Sequence, residues 1–223
     1  MADALVLLSG GVDSAVCLYL AVRELGPANV TALTFDWGQR AALEELKAAA
    51  ELAESAGAAA MVMTRISFPY GGLLTDDGAP VPLDRTEREI EEGGLAPTFF
   101  PGRNLVMLSY AFGLAGSLEA DAVYFGPNSS DAAGYPDCRP DFVEAMQAAG
   151  NIALGSPGIR LVAPLIEMSK VQIVTLGEEL GVPWGLTFSC YAPVEGAPCG
   201  RCDSCLGRRA AFEASGLGSG LES

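Results

Sequence analysis

The stretch LVLLSGGVDSAVCLYL, residues 5–20, decides how the chain folds. It opens on four aliphatic residues, the pattern of a strand buried on both faces, and an apolar helical pattern follows two glycines. Residues 4–8 therefore read as a strand and residues 14–25 as a helix closed by Gly26-Pro27. Between them, SGGVDS (Ser9, Gly10, Gly11, Val12, Asp13, Ser14) puts glycine where backbone must approach a ligand closely. The start of the following helix presents unpaired N–H groups and a positive dipole end, a seat for phosphate. The lysine of a GxxxxGKS/T loop is missing. Asp13 beside phosphate makes chemical sense once a divalent cation stands between them, since a carboxylate is a natural Mg²⁺ ligand. Helix capping alone would explain Asp13 or Ser14, but not the whole turn.

The remainder of the chain repeats the alternation. Strands are expected at residues 30–35, 59–66, 122–126 and 159–163, and helices at 40–56, 105–118, 140–149 and 168–180. Right-handed crossovers then give an α/β fold, a doubly wound, mostly parallel sheet with helices on both faces. The 105–118 helix is apolar nearly all round, as suits a helix buried in the domain or at a subunit contact. Residues 67–97 dissolve into Gly, Pro and charge, a flap near the site or a tolerated surface insertion. The expected division is an α/β domain over 1–186, a small metal-binding lobe over 187–212 and a frayed tail over 213–223.

A chain of 223 residues, 50% hydrophobic, can bury one sizeable core. Its 13 Lys+Arg against 28 Asp+Glu, a net charge of −15, argue against a broad basic face for nucleic acid. No basic region precedes the first apolar run, and no window approaches the ~20 apolar residues of a membrane span, so a cytoplasmic protein without membrane contact is expected. With no histidine, proton transfer falls to carboxylates, Lys, Tyr or the substrate itself.

The second strong signal is CYAPVEGAPCGRCDSC, in which Cys190 precedes Cys199, Cys202 and Cys205 in a C-x2-C-x2-C run. Four thiolates around tight turns suit tetrahedral Zn²⁺, and with four sulfur ligands no position is left for water, so the metal is structural. Disulfides are the alternative, and a reducing compartment disfavours them. Cys17 reads as core filler, and Cys138 as either a covalent partner for an acyl group or a pocket wall.

SGGVDS resembles the pyrophosphate loop of the N-type ATP pyrophosphatases, the PP-loop superfamily. FDWGQR (35–40), FPGRN (100–104), GPNSSDAAGYPDCR (126–139), PLIEMSK (164–170) and TFSCY with CGRCDSC together resemble the 7-cyano-7-deazaguanine synthase family, over residues 5 to about 212. The resemblance implies ATP cleaved between its α and β phosphates with Mg²⁺, and conversion of 7-carboxy-7-deazaguanine and ammonia to the nitrile through adenylated carboxylate, amide and adenylated amide. It also implies a homodimer acting on small molecules.

On this reading Leu8 to Ser14 and Phe35 hold the nucleotide, and Asp13, Lys170 and Arg103 serve catalysis. Arg40, Arg103, Arg139 and Lys170 are four of only 13 basic residues, all within these polar motifs. A deazaguanine needs a carboxylate, an amide and an aromatic face, which Asn128, Asp131, Tyr135 and Asp137 supply, with Gln39, Arg40, Asn104 and Arg139 as further substrate contacts. The resemblance departs at Ala41, where the family usually has histidine after GQR. A paralogue with another carboxylate acceptor, or a non-catalytic nucleotide-binding module, shares the same motifs.

Overall fold

Alternate side chains of the first strand, β1 (Ala4–Leu7), enter two different cores: Ala4 and Val6 one, Leu5 and Leu7 the other. This is the signature of a central strand covered on both faces. The computed structural model describes residues 3–75, 79–91, 94–155 and 158–218. In chain order, β1 is followed by α1 (Val12–Leu25), β2 (Val30–Asp36), α2 (Ala42–Ala56), β3 (Ala60–Arg65), α3 (Glu87–Glu91) and α4 (Arg103–Ser117). Then come β4 (Ala122–Tyr124), α5 (Pro140–Leu154), β5 (Arg160–Val162), α6 (Lys170–Leu180) and α7 (Asp203–Ala214).

The strands form one wholly parallel sheet in the order β3-β2-β1-β4-β5. On one face Val16, Leu18, Leu52, Ile173 and Phe212 from α1, α2, α6 and α7 pack on Ala4, Val6, Val30 and Tyr124. On the other, Leu108, Ala111 and Met146 from α4 and α5 meet Leu5, Leu33 and Val123. Each fully buried aliphatic side chain here contributes about 1.5–3 kcal/mol. The chain winds outward from β1 to β3, then returns and continues from β4 to β5. Strand order therefore reverses between β1 and β4, and the carboxyl ends of those two strands frame the crevice where doubly wound sheets bind ligands.

Several boundaries differ from the sequence expectations. Helix α1 begins at Val12, two residues early, because extended Gly11 is its N-cap and the Ser14 hydroxyl turns back to the Gly11 carbonyl at 3.1 Å. Helix α5 runs on to Leu154 because Gly150 is a packing residue and not a stop: a Cβ there would lie 2.6 Å from the Phe112 ring. The left-handed Gly155, φ +64°, ends the helix instead.

Helix α7 has no counterpart among the expected elements, and its Phe212 is buried in the first core. Beyond it, the Leu217 N–H donates to the Phe212 carbonyl at 3.0 Å and the Leu217 side chain packs on the same core; the rest of the expected tail, 219–223, lies outside the described residues. Within the 67–97 segment, Leu74 and Val81 are buried, so its described part is packed onto the molecule. Among the described residues no helix is long and apolar enough to cross a membrane.

Candidate active site and metal centre

The turn after β1 is shaped by its own residues. Gly10 has φ +84°, and a Cβ on it would sit 2.6 Å from the Glu45 carbonyl and 2.9 Å from Ala48 Cβ, so only glycine lets the loop lie against α2. Ser9 and Ser14 share a hydrogen bond of 3.1 Å between their hydroxyls, and the Ser14 hydroxyl also accepts from the Ser9 N–H at 3.1 Å. The first backbone bond of α1 is from the Ala15 N–H to the Gly11 carbonyl, and no side chain caps the helix. The N–H groups of its first turn are thus directed at the crevice, as an anion site requires. Leu8 and Val12 are buried in the first core and anchor the loop from either end.

Asp13 joins this turn to the loop after β4. Lys170 Nζ lies 2.5 Å from Asp13 Oδ2 and 3.3 Å from Asp131 Oδ2, and Asn128 Nδ2 donates to the same Asp131 oxygen at 2.6 Å. Asn128 is fully buried, and its Oδ1 accepts from the backbone of Ser130 and Asp131. Burial works against the Lys170 charge, but the two carboxylates outweigh it and hold its pKa above the ordinary range. Burial likewise lifts the Asp13 carboxyl against the pull of Lys170. Asp13 Oδ1 is buried and has no hydrogen-bond partner. Gly126, two residues past β4, lets the loops meet: a Cβ there would lie 3.2 Å from Cys17 Sγ and 3.4 Å from the Asp13 backbone. Cys17 is wholly buried and its thiol is pushed up by that burial, in keeping with core filler.

A second group forms behind Arg103, whose guanidinium lies 5.3 Å from the Trp37 ring centre. Asp137 is buried, its carboxyl raised by that burial and opposed by Arg103, and its Oδ1 is without a partner. Asn104 is buried beside it and points its amide at Cys138 Sγ, 3.9 Å away. Burial pushes the Cys138 thiol far up, which suits a pocket wall. The Tyr135 hydroxyl lies 2.6 Å from Thr98 Oγ1, and the Tyr191 side chain interacts with it.

Four predicted residues are engaged by the protein itself. Gln39 is buried and bonds the Phe35 carbonyl, the Trp37 N–H and Glu45. Arg40 donates to the Ala79 carbonyl, Arg139 to the carbonyls of Ala132 and Ala133, and Phe35 packs edge-on to Tyr110 in the second core.

Glu45 escaped the sequence reading. Its carboxylate accepts from Gln39 Nε2 at 2.9 Å, and burial pushes its pKa up to about 7 against the Gln39 bond and Arg103. The only sequence signal was its place one helical turn after Ala41.

The sulfur atoms of Cys190, Cys199, Cys202 and Cys205 all lie within 4.8 Å of one another. Backbone N–H groups of Ala192 and Cys199 point at Cys190 Sγ, and those of Arg201 and Cys202 at Cys199 Sγ, at 3.2–3.5 Å. Close together, the four thiols share protons: Cys190 is pushed far up and Cys202 well down by their interaction. All four become thiolates together only around a metal ion. The Phe188 N–H, two residues before Cys190, donates to the Gly10 carbonyl at 2.8 Å, so the cysteine cluster abuts the glycine turn.

A glycine turn at the switch point of a parallel sheet, with an aspartate and a lysine beside it, defines a nucleotide-binding α/β protein of the PP-loop kind. The chain belongs to the family described as queuosine biosynthesis protein QueC, which it matches over residues 3–216. It is 42% identical over 221 residues to the 7-cyano-7-deazaguanine synthase of Nostoc punctiforme, covering 96% of each chain. It is 44% identical over 227 residues to that of Solidesulfovibrio magneticus, covering 96% of this chain and 92% of that one. The corresponding figures for Leptospira interrogans are 40% over 221 residues, 96% and 88%.

Proposed function

We propose that the chain is an ATP-dependent C–N ligase that converts 7-carboxy-7-deazaguanine and ammonia into 7-cyano-7-deazaguanine. The observation that carries this reading, beside family membership, is the chain of contacts Asp13–Lys170–Asp131–Asn128. It links a phosphate-type turn to a loop rich in purine-binding side-chain types.

A carboxylate is a poor acyl donor because its oxygen leaves badly. Attack of that oxygen on the α-phosphorus of ATP expels pyrophosphate and turns the oxygen into part of AMP. The N–H groups at the start of α1 receive the departing anion, and Lys170 and Arg103 offset the charge that develops. Ammonia adds to the acyl carbon, the bond to AMP breaks, and an amide forms with loss of a proton. The amide oxygen attacks the α-phosphorus of a second ATP and expels a second pyrophosphate; breaking its C–O bond then releases AMP, the nitrogen gives up its two protons, and the nitrile remains. In a chain without histidine, Glu45, pushed up to about 7 by desolvation, is the carboxyl suited to take up a proton near neutrality, and Asp137 is a buried carboxyl raised above its ordinary range. Asn128, Asp131 and Tyr135 meet the edge and face of the deazaguanine.

Asp13 Oδ1, buried without a protein partner, fits a Mg²⁺ ligand. Such an ion, when bound, neutralises pyrophosphate charge. The closed four-sulfur set fits Zn²⁺ held by Cys190, Cys199, Cys202 and Cys205 in a structural role. Small-molecule substrates and free thiols suit a reducing cytoplasm. Leu105, Val106, Tyr110 and Leu118 expose an apolar side of α4 and the residue after it, which a second copy would cover in a homodimer; sedimentation at the mass of a single chain would exclude it.

The decisive experiment is mass spectrometry after incubation with ATP, Mg²⁺, ammonium and 7-carboxy-7-deazaguanine. Amide and nitrile masses are expected in turn. ATP cleavage with neither mass would assign the chain a different carboxylate acceptor.

A further inference from the structure

The irregular stretch before α4 runs from the catalytic crevice to the cysteine cluster and back. At one end the Arg40 guanidinium holds the Ala79 carbonyl. Val81 is then buried among Cys190, Cys202 and Cys205, Leu83 pairs with Cys202 as an isolated antiparallel bridge, and the Asp84 N–H donates to the Arg201 carbonyl at 2.8 Å. Two ion pairs follow. Arg201–Asp84 is 60% and 53% exposed, a class worth little. Arg85–Asp203, at 2.7 Å, is only 18% and 15% exposed, and the other Asp203 oxygen is buried without a partner. Removing Arg85 would strand a buried carboxylate, so this pair is the clamp.

Past α3 the chain reaches the loop after β4. The Ala96 N–H donates to the Gly134 carbonyl at 3.0 Å, and Thr98 Oγ1 lies 2.6 Å from the Tyr135 hydroxyl. The cysteine lobe reaches the same tyrosine, because the side chain of Tyr191, next to Cys190, interacts with that of Tyr135. Tyr135 is therefore held from two sides, by the lobe through Tyr191 and by Thr98 on the stretch that the 79–91 strap leads into.

We propose that the metal centre is a positioning element for the substrate loop: by fixing Tyr191 and the 79–91 strap it sets the place of Tyr135, and with it the affinity for the acid substrate but not for ATP. Arg85 and Asp203 act as positioning residues in this arrangement. The identity of the acid rests on the reading above; the dependence of loop order on the metal does not.

The test has two arms. In the first, amide hydrogen exchange is followed in the wild-type protein before and after zinc is stripped by a chelator, with zinc counted by elemental analysis. Faster exchange over 79–91 and 131–136, with β1 and α1 still protected, is expected. Unchanged protection of both stretches would overturn the proposal whatever the substrate proves to be. In the second arm, Arg85→Met retains its zinc, raises KM for the acid about tenfold, the scale of one lost charge-assisted contact, and moves kcat and KM for ATP by less than about twofold. Arg85→Lys restores most of the loss. Equal changes in both KM values, or no rescue by lysine, would reduce the pair to a general prop of the fold and refute its positioning role. Should Arg85→Met not fold, Arg85→Lys and the exchange arm still decide.

Discussion

The loops that follow β1 and β4 lie side by side at the point where strand order reverses, yet they are held in different ways. The Ser9–Ser14 turn is braced largely by its own residues, by serine hydroxyls five residues apart and by a glycine pressed on α2, with the Phe188 N–H and Lys170 as its outside supports. The 126–139 loop borrows its supports: Lys170 from α6, Thr98 from the stretch before α4, Tyr191 from the cysteine lobe, Asn104 from α4. Phosphate recognition asks for backbone N–H groups and one cation site, which a short segment can supply. Recognition of a particular heterocycle asks for groups converging from several directions, which only the assembled fold provides.

The strongest way to break this comparison is Asp13→Asn. It removes a carboxylate charge from the first loop while leaving Lys170 its contact with Asp131. AMP release should fall by about 10³-fold or more, about 4 kcal/mol of transition-state stabilisation. The ion pair it deletes is partly exposed, so unfolding free energy should change by no more than about 1 kcal/mol. Acid affinity, measured by calorimetry without ATP, should stay within about twofold, since the second loop carries it. If acid binding collapses together with AMP release, the two loops are one unit and the distinction fails.

The same contrast explains what could be read in the residues alone. The glycine turn, the strand–helix alternation and the four-cysteine spacing were legible because each is written in neighbouring residues. The strap was not, because Arg85 and Asp203 meet across 118 residues, and nothing in the sequence near Arg85 announces a partner. Helix α7 was hidden for another reason: its buried side is Cys205, Ala211 and Phe212, too sparse a stripe to stand out beside Arg208 and Arg209. Gln39, Arg40 and Arg139 had the chemistry of substrate contacts, but the fold turns them to the protein's own carbonyls and carboxylates. Polar side chains within a motif can serve its shape as well as its ligand.

A smaller effect sharpens how the first loop is supported. Glu45 rests against Gly10 through its backbone, and its carboxyl is pushed from 4.5 up to about 7 by burial, with Gln39 and Arg103 opposing and Glu44 reinforcing. The folded chain therefore binds a proton between those values that the unfolded chain has already released. Stability contributed by the neutral group is complete below about pH 4.5 and is lost as pH rises towards 7. The span corresponds to on the order of 3 kcal/mol at most. Glu45→Gln keeps the shape and cannot ionise, so its urea midpoint should fall less than that of the wild type between pH 5 and 8. Asp13 and Asp137 are raised in both proteins and cancel in the difference. Parallel midpoint curves would show that Glu45 stays charged throughout, and would leave Gly10 and the two serines as the supports of the phosphate turn.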